Sequence, residues 1–416
     1  MFSAGSVFNA TQAFPYTSSV SPAYATTLTC VVKSVSNYLV KLPDLKSSHS
    51  IISIVPRLFP SVDGVGDYAY RLAQKMRQDF GIQTRFVVGD PNWNNAIYLD
   101  GFPVSRLDRC SAADLYSLIG QQPASNILLH YVGYGYAKRG CPFWLIDCLQ
   151  QWQQSTSDTS LITMFHEIYA AGRPPWTSAF WLYPLQKHLA TRLANLSKSL
   201  VTSKQLYANI LHRLSPQHNS IPALPVFSTV GEPDKPPPLT ARRKQLIVFG
   251  GIANRTQIYQ SAMPLLQRTC RLLKIETVID IGPKLLDMPE AVSDVPVVVM
   301  GQLTAAEISQ YLLQATAGFL DYNPDYLAKS TIFAAYCSHG LLPINVRDSI
   351  DKVDGLLPGT HYLVANKSSE QQLDDLQIQL IADRAHAWYK THDLFLQAKV
   401  FKQLCLTMNS QAGNHI

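Results

Sequence analysis

Two adjacent side chains suited to chemistry, His166 and Glu167, follow the apolar run Leu161–Phe165, which is typical of a buried parallel strand. Residues there lie at the carboxyl end of the strand, where open α/β sheets bind their ligands. An imidazole beside a carboxylate can bind hydroxyl groups or transfer protons, so we expect a catalytic pair. The alternative is a histidine that is hydrogen-bonded to backbone in the core. His130, after another apolar run, is a weaker candidate.

A second segment joins a lysine to a predicted helix start. Ser330 is placed to cap a helix that follows an apolar strand, and Lys329 precedes that cap. Free backbone amides at a helix start and a lysine ammonium both attract anions, so the pattern predicts a phosphate-binding end. A solvated lysine beside an ordinary cap is the competing interpretation. The polar residues expected to assist are Asp321, Asn323 and Thr331.

An apolar run, a glycine-bearing loop and a helical pattern follow one another at Ile51–Phe80 and again at Gln245–Leu266. Such strand-to-helix loops approach ligands, although glycine there also serves backbone geometry alone and an arginine there can be a plain surface residue. The candidate residues are Gly64, Val65, Gly66 and Asp67 in the first loop, and Gly250, Gly251 and Arg255 in the second.

The proline-rich stretch 231–244 separates these halves, because its prolines forbid helix and donate no hydrogen bond to a sheet. A chain of 416 residues also exceeds what one core usually organises. Alternating strands and helices predict the α/β class. The predicted organisation is a poorly ordered extension at 1–48 with room for a short helix near Leu39, a Rossmann-like domain at 49–230, a linker at 231–244, a second Rossmann-like domain at 245–385, and a helical segment at 386–416 that returns to the first domain.

Composition narrows the function classes. With 47% apolar and 15% charged residues the chain is globular, and no apolar run reaches the roughly 18 residues of a membrane span. The net charge of +6 suits anionic small molecules or a membrane surface, but no dense basic block indicates nucleic acid. The seven cysteines are scattered without paired metal-ligand spacings, which favours reduced cytosolic thiols and no metal. We expect a cytoplasmic protein, with contact to the inner face of a membrane left open.

Taken together, these segments resemble GT-B-fold glycosyltransferases, nearest the large retaining family that builds bacterial polysaccharides and glycolipids (family 4). The resemblance spans roughly Ile51–Phe401 and rests on Pro60–Ala69, Phe165–Glu167, Phe249–Arg255 and Asp321–Ile344. It implies an α/β GT-B architecture, with two Rossmann-like domains facing a central cleft. It also implies transfer of a sugar from a nucleotide-sugar donor to a polysaccharide, glycolipid or small-molecule acceptor, with retention of configuration and without cofactor or metal.

The resemblance also assigns roles to individual residues. It implies catalysis at His166 and Glu167, and an acceptor side that includes the Gly- and Tyr-rich segment His130–Gly140. The tyrosines of that segment can stack on sugars or simply pack. The donor-binding set is Gly250, Gly251, Arg255, Asp321, Asn323, Lys329, Ser330 and Thr331, and the acceptor-binding set is Gly64, Val65, Gly66, Asp67 and Tyr134.

One departure from the family pattern matters. Members usually carry two glutamates eight positions apart, and Leu327 and Ala335 stand at those positions here. Neither side chain accepts a hydrogen bond, so a non-catalytic GT-B scaffold that binds a nucleotide sugar or a partner protein is the alternative function. A dinucleotide oxidoreductase and a phosphate-loop NTPase rank low, because the sequence lacks Gly-x-Gly-x-x-Gly with a later acidic residue and lacks Gly-Lys-Ser/Thr.

Overall fold

The computed structural model describes residues 50–61, 63–94, 97–120, 126–156, 159–170, 174–366 and 374–406. These residues belong to one compact unit. The predicted extension at 1–48 lies outside the described residues, so the expectation for it stays a prediction.

The first lobe is built on a seven-stranded sheet. Its strands are Ser50–Val55 (β1), Gln83–Val88 (β2), Tyr98–Leu99 (β3), Phe102–Arg106 (β4), Asn126–Tyr131 (β5), Leu161–Phe165 (β6) and Ser199–Thr202 (β7). They lie in the order β3-β4-β2-β1-β5-β6-β7, and every neighbouring pair is parallel except β3 with β4. The strand order reverses between β1 and β5, which is where sheets of this kind open a ligand crevice.

Helices of the first lobe cover both faces of this sheet. They are Gly64–Phe80 (α1), Ala112–Ile119 (α2), Gly133–Tyr136 (α3), Phe143–Ser155 (α4), Ser178–Leu196 (α5) and Gln205–Leu214 (α6). Along β5, Leu128 packs in one apolar cluster while Ile127 and Leu129 pack in another, so the sheet is buried on both sides. Such burial explains why the strands read as continuous apolar runs.

The second lobe repeats the same topology. Its strands are Arg243–Phe249 (β8), Thr277–Ile281 (β9), Ala291–Val292 (β10), Val295–Gly301 (β11), Ala315–Leu320 (β12), Leu342–Asn345 (β13) and Leu363–Val364 (β14). Their order, β10-β11-β9-β8-β12-β13-β14, matches that of the first sheet strand for strand, including the antiparallel edge pair. The predicted α/β class with two Rossmann-like lobes is confirmed.

The remaining helical elements belong to the second lobe or to the chain's return. They are the short 3-10 helices Leu239–Ala241 and Pro324–Lys329, and the α-helices Ile252–Ser261 (α7), Met263–Leu272 (α8), Ala305–Gln314 (α9), Thr331–Ser338 (α10), Asp375–Lys390 (α11) and Leu394–Leu406 (α12). None of the described helices combines the length and apolar character that a bilayer-spanning segment needs.

The last helix packs on the first lobe. The Asn126 amide donates to the Cys405 carbonyl at 2.8 Å, and the Tyr68 hydroxyl donates to Gln397 Oε1 at 2.6 Å. The Tyr68 ring also stacks on Phe227, which precedes the linker, with 4.4 Å between ring centroids. One apolar cluster therefore runs from α1 through the linker region into the second lobe.

Candidate functional site

A cavity of about 450 Å³ lies where the carboxyl ends of the strands of both lobes meet. Segments that directly follow β5, β6 and β12 supply most of its wall, as the chain-direction rule for open α/β sheets requires. The side chains used below are Tyr134, Glu167, Tyr169, Gln186 and Tyr207 from the first lobe, and Tyr322, Tyr326 and Lys329 from the second.

An ion pair spans this cavity between the lobes. Lys329 Nζ lies 3.7 Å from Glu167 Oε1, which is an ion-pair distance but too long for a hydrogen bond. Burial lowers the pKa of Lys329, and the Glu167 charge opposes that shift. The ammonium also lies 5.1 Å from the ring centroid of Tyr207 and 5.9 Å from that of Tyr326. A loosely paired, largely buried cation of this kind can exchange its carboxylate for an anionic ligand.

Behind Glu167, two histidines form a buried pair. His130 Nδ1 lies 3.1 Å from His166 Nε2, and the rings stack at 26° with 5.4 Å between centroids. Tyr68 packs its ring edgewise against both imidazoles. Burial lowers the pKa of His130 to about 3. Burial, then His130, then the Lys329 charge hold the pKa of His166 well below its usual range. Both rings are therefore neutral at physiological pH.

Because both imidazole rings are neutral, the ring nitrogen that carries each proton can be assigned. Each ring carries one N–H, and one of them must donate across the 3.1 Å contact. His130 Nε2 is buried with no hydrogen-bond partner among the described residues. A buried N–H without an acceptor is costlier than a bare ring nitrogen, so the His130 proton resides on Nδ1 and points at His166. His166 then carries its own proton on Nδ1. Its side chain is buried and does not line the cavity, so the structure places Glu167 at the cavity wall and His166 behind it.

Lys204, which is not among the residues predicted from the sequence, is 1% exposed. Its ammonium donates to the Asp325 carbonyl of the second lobe and lies 3.8 Å from the Tyr326 ring centroid. Burial lowers its pKa, and the carboxylates of Asp354 and Asp325 oppose that shift. Lys204 is the second residue after β7, so the rule that selected His166 after β6 also points to it.

The donor-side residues predicted on either side of Lys329 have local structural partners. Asp321 accepts from Arg347 Nε at 2.6 Å. Asn323 caps its own 3-10 helix, and Ser330 Oγ caps α10 by accepting from the Phe333 amide at 3.1 Å. Thr331 is the first residue of α10 and is partly exposed.

At the family's two glutamate positions, Leu327 and Ala335 are both fully buried. Neither position offers an acceptor to a ligand.

Arg255 was predicted either to bind the donor or to lie on the surface, and the structure shows neither position. Its side chain is 0% exposed and grips Asp280 with two hydrogen bonds, Nε to Oδ2 at 3.0 Å and Nη2 to Oδ1 at 2.8 Å. Its Nη1 donates to the Pro283 carbonyl at 2.7 Å. The guanidinium is thus neither on the surface nor directed at the cavity, because a buried aspartate on β9 takes up its donors.

Both glycine loops serve backbone geometry. A Cβ on Gly66 would stand 2.2 Å from the Arg57 carbonyl oxygen, and one on Gly250, whose φ is +140°, would stand 2.6 Å from Ile332 Cδ1. Gly251 caps α7 and has open space beside it. Gly66 therefore lets the backbone at Arg57 approach closely, and Gly250 does the same for Ile332 of α10.

In the first loop, Gly64 has open space around it and Val65 donates its amide to the capping carboxylate of Asp63. Burial, followed by the Asp63 charge, raises the pKa of Asp67 to about 6, while Arg71 opposes the shift. None of the residues 64–67 lines the cavity, so the structure does not bring them together with Glu167.

Tyr134 does lie at the cavity, on its outer rim. Its hydroxyl accepts from Gln186 Nε2 at 3.0 Å, and the same amide group donates to the Arg139 carbonyl at 2.9 Å. Gln186 Oε1 accepts from the Ala170 amide at 3.0 Å. One buried glutamine of α5 therefore holds the tyrosine segment and the loop after Glu167 in place.

Comparison with solved structures identifies the architecture, because two Rossmann-type lobes that share a cleft at their strand ends define the GT-B fold. Sucrose-phosphate synthase from Thermosynechococcus elongatus superimposes with a TM-score of 0.57 at 12% identity, covering 86% of this chain and 99% of that one. A pneumococcal O-GlcNAc transferase in complex with UDP and GlcNAc gives 0.57 at 9% identity, covering 88% and 100%. Trehalose 6-phosphate synthase from Burkholderia multivorans gives 0.55 at 10% identity, covering 88% and 100%.

At these identities the likeness concerns the fold, and this chain has the GT-B fold. At the level of sequence, neither a protein-family model nor a curated protein matches the chain.

Proposed function

We propose that the protein is a glycosyltransferase that moves a sugar from a nucleotide-sugar donor to an acceptor hydroxyl in the cavity between its lobes. The observation that carries this proposal is the Lys329–Glu167 pair, because it sets a cation of one lobe against a carboxylate of the other across that cavity. Glycosyl transfer from a nucleotide sugar needs both kinds of group. The departing diphosphate gains negative charge, and the acceptor hydroxyl has to be held and deprotonated.

On the donor side, the Lys329 ammonium provides the anion site at the cavity wall. Lys329 directly precedes Ser330, the cap of α10, and we propose that amides at this helix start assist it. In the neighbouring O-GlcNAc transferase structure the nucleotide is UDP. We extend this to a uridine or related nucleotide sugar as the donor here. Arg255 is left out of the site because Asp280 holds it in the core.

On the acceptor side, Glu167 is half-exposed and faces the cavity, so it can accept a hydrogen bond from a hydroxyl group. His166 stands behind Glu167 and does not itself line the cavity. The rings of Tyr169, Tyr207 and Tyr322 offer flat surfaces on which sugars stack. Retention of configuration, activity without a metal or cofactor, and a cytoplasmic location belong to this proposal as expectations. We also expect the acceptor to be a carbohydrate or a lipid-linked molecule and not a nucleic acid.

A non-catalytic scaffold remains the second candidate, and one observation favours it. Leu327 and Ala335 bury apolar side chains where the resembling family uses glutamates to hold the donor. Such a protein would bind the nucleotide sugar without turning it over.

The decisive experiment measures release of the nucleoside diphosphate from a panel of nucleotide sugars, with and without simple sugar acceptors, and runs thermal shift measurements in parallel. A ligand that binds only the folded state raises the melting temperature. We expect one nucleotide sugar to stabilise the protein and to be consumed. Lys329→Ala should lose both effects, while Lys235→Ala, an exposed linker lysine, should keep them.

Stabilisation without consumption would support the scaffold instead. If no nucleotide or nucleotide sugar stabilises the protein or is consumed, both candidates fail.

A further inference from the structure

Large apolar side chains are exposed on one part of the first lobe. Trp176 is 85% exposed, Trp181 72% and Phe180 43%, all at the start of α5. Tyr134 and Phe143, on neighbouring segments, are 41% and 40% exposed. The other four tryptophans are buried or partly buried, so both strongly exposed tryptophans lie within this one region.

Helical spacing keeps these side chains off the core. The buried residues of α5 are Gln186, Leu189, Ala190, Leu193 and Ala194, which follow the 3.6-residue period of one face. Phe180, Pro184 and Lys187 recur at i, i+4 and i+7 on the exposed side. The Phe180 and Trp181 rings contact each other, with centroids 5.4 Å apart, and lean on no core cluster.

The surroundings are basic. Lys138 and Arg139 are exposed in the segment that Gln186 ties to α5, and Lys187 is exposed on α5 itself. The sequence has no Asp or Glu between Glu167 and Glu232, although the chain contains 29 acidic residues. The basic residues in that interval are Arg173, Lys187, Arg192, Lys198, Lys204 and Arg213.

We propose that this aromatic–basic face, made of Tyr134, Lys138, Arg139, Trp176, Phe180, Trp181 and Lys187, docks on the surface of an anionic lipid bilayer. Tryptophan and other aromatic rings partition into the interfacial layer of a membrane, where one end is apolar and the other wet. Lysine and arginine beside them are attracted to anionic headgroups. The exposed aromatic rings and the exposed Lys138, Arg139 and Lys187 provide both kinds of attraction, whereas Arg192 is paired with Asp147 and Lys204 is buried.

The aromatic–basic face adjoins the wall of the cavity in which the reaction is proposed. Tyr134 and Gln186 belong to the cavity wall, and Trp181 stands five residues before Gln186 on the same helix, roughly 7.5 Å along its axis. A bilayer on the aromatic–basic face would thus lie beside the acceptor mouth of the cavity. The acceptor is then a hydroxyl group carried by a membrane lipid, a conclusion that rests on the proposed function.

The test is flotation of the full-length protein with phosphatidylcholine vesicles, with and without phosphatidylglycerol, combined with tryptophan fluorescence. We expect flotation with the anionic vesicles, little with the neutral ones, and a blue shift of the fluorescence on binding. The double variant Trp176→Ser/Trp181→Ser should bind at least tenfold more weakly. The matched control, Leu286→Ser/Leu376→Ser, replaces two side chains that are 100% and 82% exposed elsewhere and should bind like the wild type.

Three results would overturn the proposal: no flotation with either vesicle, equal flotation of the tryptophan variant, or self-association in solution that the tryptophan changes abolish. The last result would identify a second copy of the chain as the occupant. Stabilisation by a nucleotide sugar should be unchanged in the tryptophan variant. Vesicle binding without any nucleotide-sugar binding would leave the docking surface standing and remove only the proposed function.

Discussion

His130 Nδ1 and His166 Nε2 lie 3.1 Å apart, so one imidazole sets the proton position of the other. His130 reaches no ligand itself, since its side chain is 0% exposed. It is a positioning residue for His166, which stands next to the cavity carboxylate Glu167.

The first prediction concerns this positioning. His130→Leu removes the donor to His166 Nε2, whereas His130→Asn keeps an N–H at a similar place. Loss of one hydrogen bond of about 1 kcal/mol predicts a roughly fivefold lower kcat for the leucine variant, with substantial rescue by asparagine. Nitrogen NMR of histidine-labelled protein, read without substrate, should show His166 protonated at Nδ1. Protonation of His166 at Nε2 would contradict the assignment whatever the kinetics.

Acid stability gives a second prediction. The pKa of His130 is lowered to about 3 and that of His166 falls well below its usual range, while both titrate near 6.5 when unfolded. Below pH 6.5 the unfolded chain therefore binds more protons at these two histidines than the native one, so their contribution to the free energy of unfolding should fall as the pH drops. The pKa of Asp67, raised to about 6, acts in the opposite direction and is the same in the wild type and the histidine variant. Each buried histidine contributes up to about 1.4 kcal/mol per pH unit.

The measurement for this prediction is urea unfolding at a series of pH values. Buried His339 and His392, with pKa values lowered by burial to about 4, add to the slope. His130→Asn should flatten the pH dependence between pH 6.5 and 4 relative to the wild type. An unchanged slope would mean that His130 titrates normally in the native state.

The third prediction separates Arg255 from the donor site. Removing one partner of a buried pair leaves an uncompensated charge, so Arg255→Ala should lower the free energy of unfolding by about 3 to 5 kcal/mol. Arg255→Met/Asp280→Leu, which removes both charges, should be far milder. Nucleotide affinity of the folded double variant should stay near that of the wild type. A large loss of nucleotide affinity in the double variant would indicate that Arg255 contacts the nucleotide.

The fold and part of the candidate site were predictable from the sequence. The duplicated order of strand, glycine loop and helix predicted the fold, because parallel strands and their helix starts leave strong local signals. The chain-direction rule selected Glu167 and the predicted helix start selected Lys329, and both residues line one cavity. The buried position of Arg255 was not predicted, because it depends on Asp280, a buried aspartate 25 residues away on β9. Lys204 was not predicted as a site residue, because no pattern in the neighbouring sequence indicates that the second lobe covers it.

A fourth prediction uses two glycines of the first loop. In Gly66→Ala the new methyl group would collide with the Arg57 carbonyl, so the helix α1 must shift and the protein should lose about 1 to 3 kcal/mol of stability. Gly64→Ala has open space and should be neutral or slightly stabilising. Thermal or urea unfolding of both variants decides the matter. Equal stability of the two would show that the close approach at Gly66 is absent.

The most direct test of the central claim, that Lys329 binds the diphosphate of the donor while Glu167 competes for it, is calorimetric titration with UDP. Lys329→Ala should bind UDP at least tenfold more weakly. Glu167→Gln should bind UDP more tightly than the wild type, because it removes the carboxylate 3.7 Å from the ammonium. Lys235→Ala serves as the control. Opposite shifts in the two variants are the predicted result, and unchanged UDP affinity in both would contradict the account.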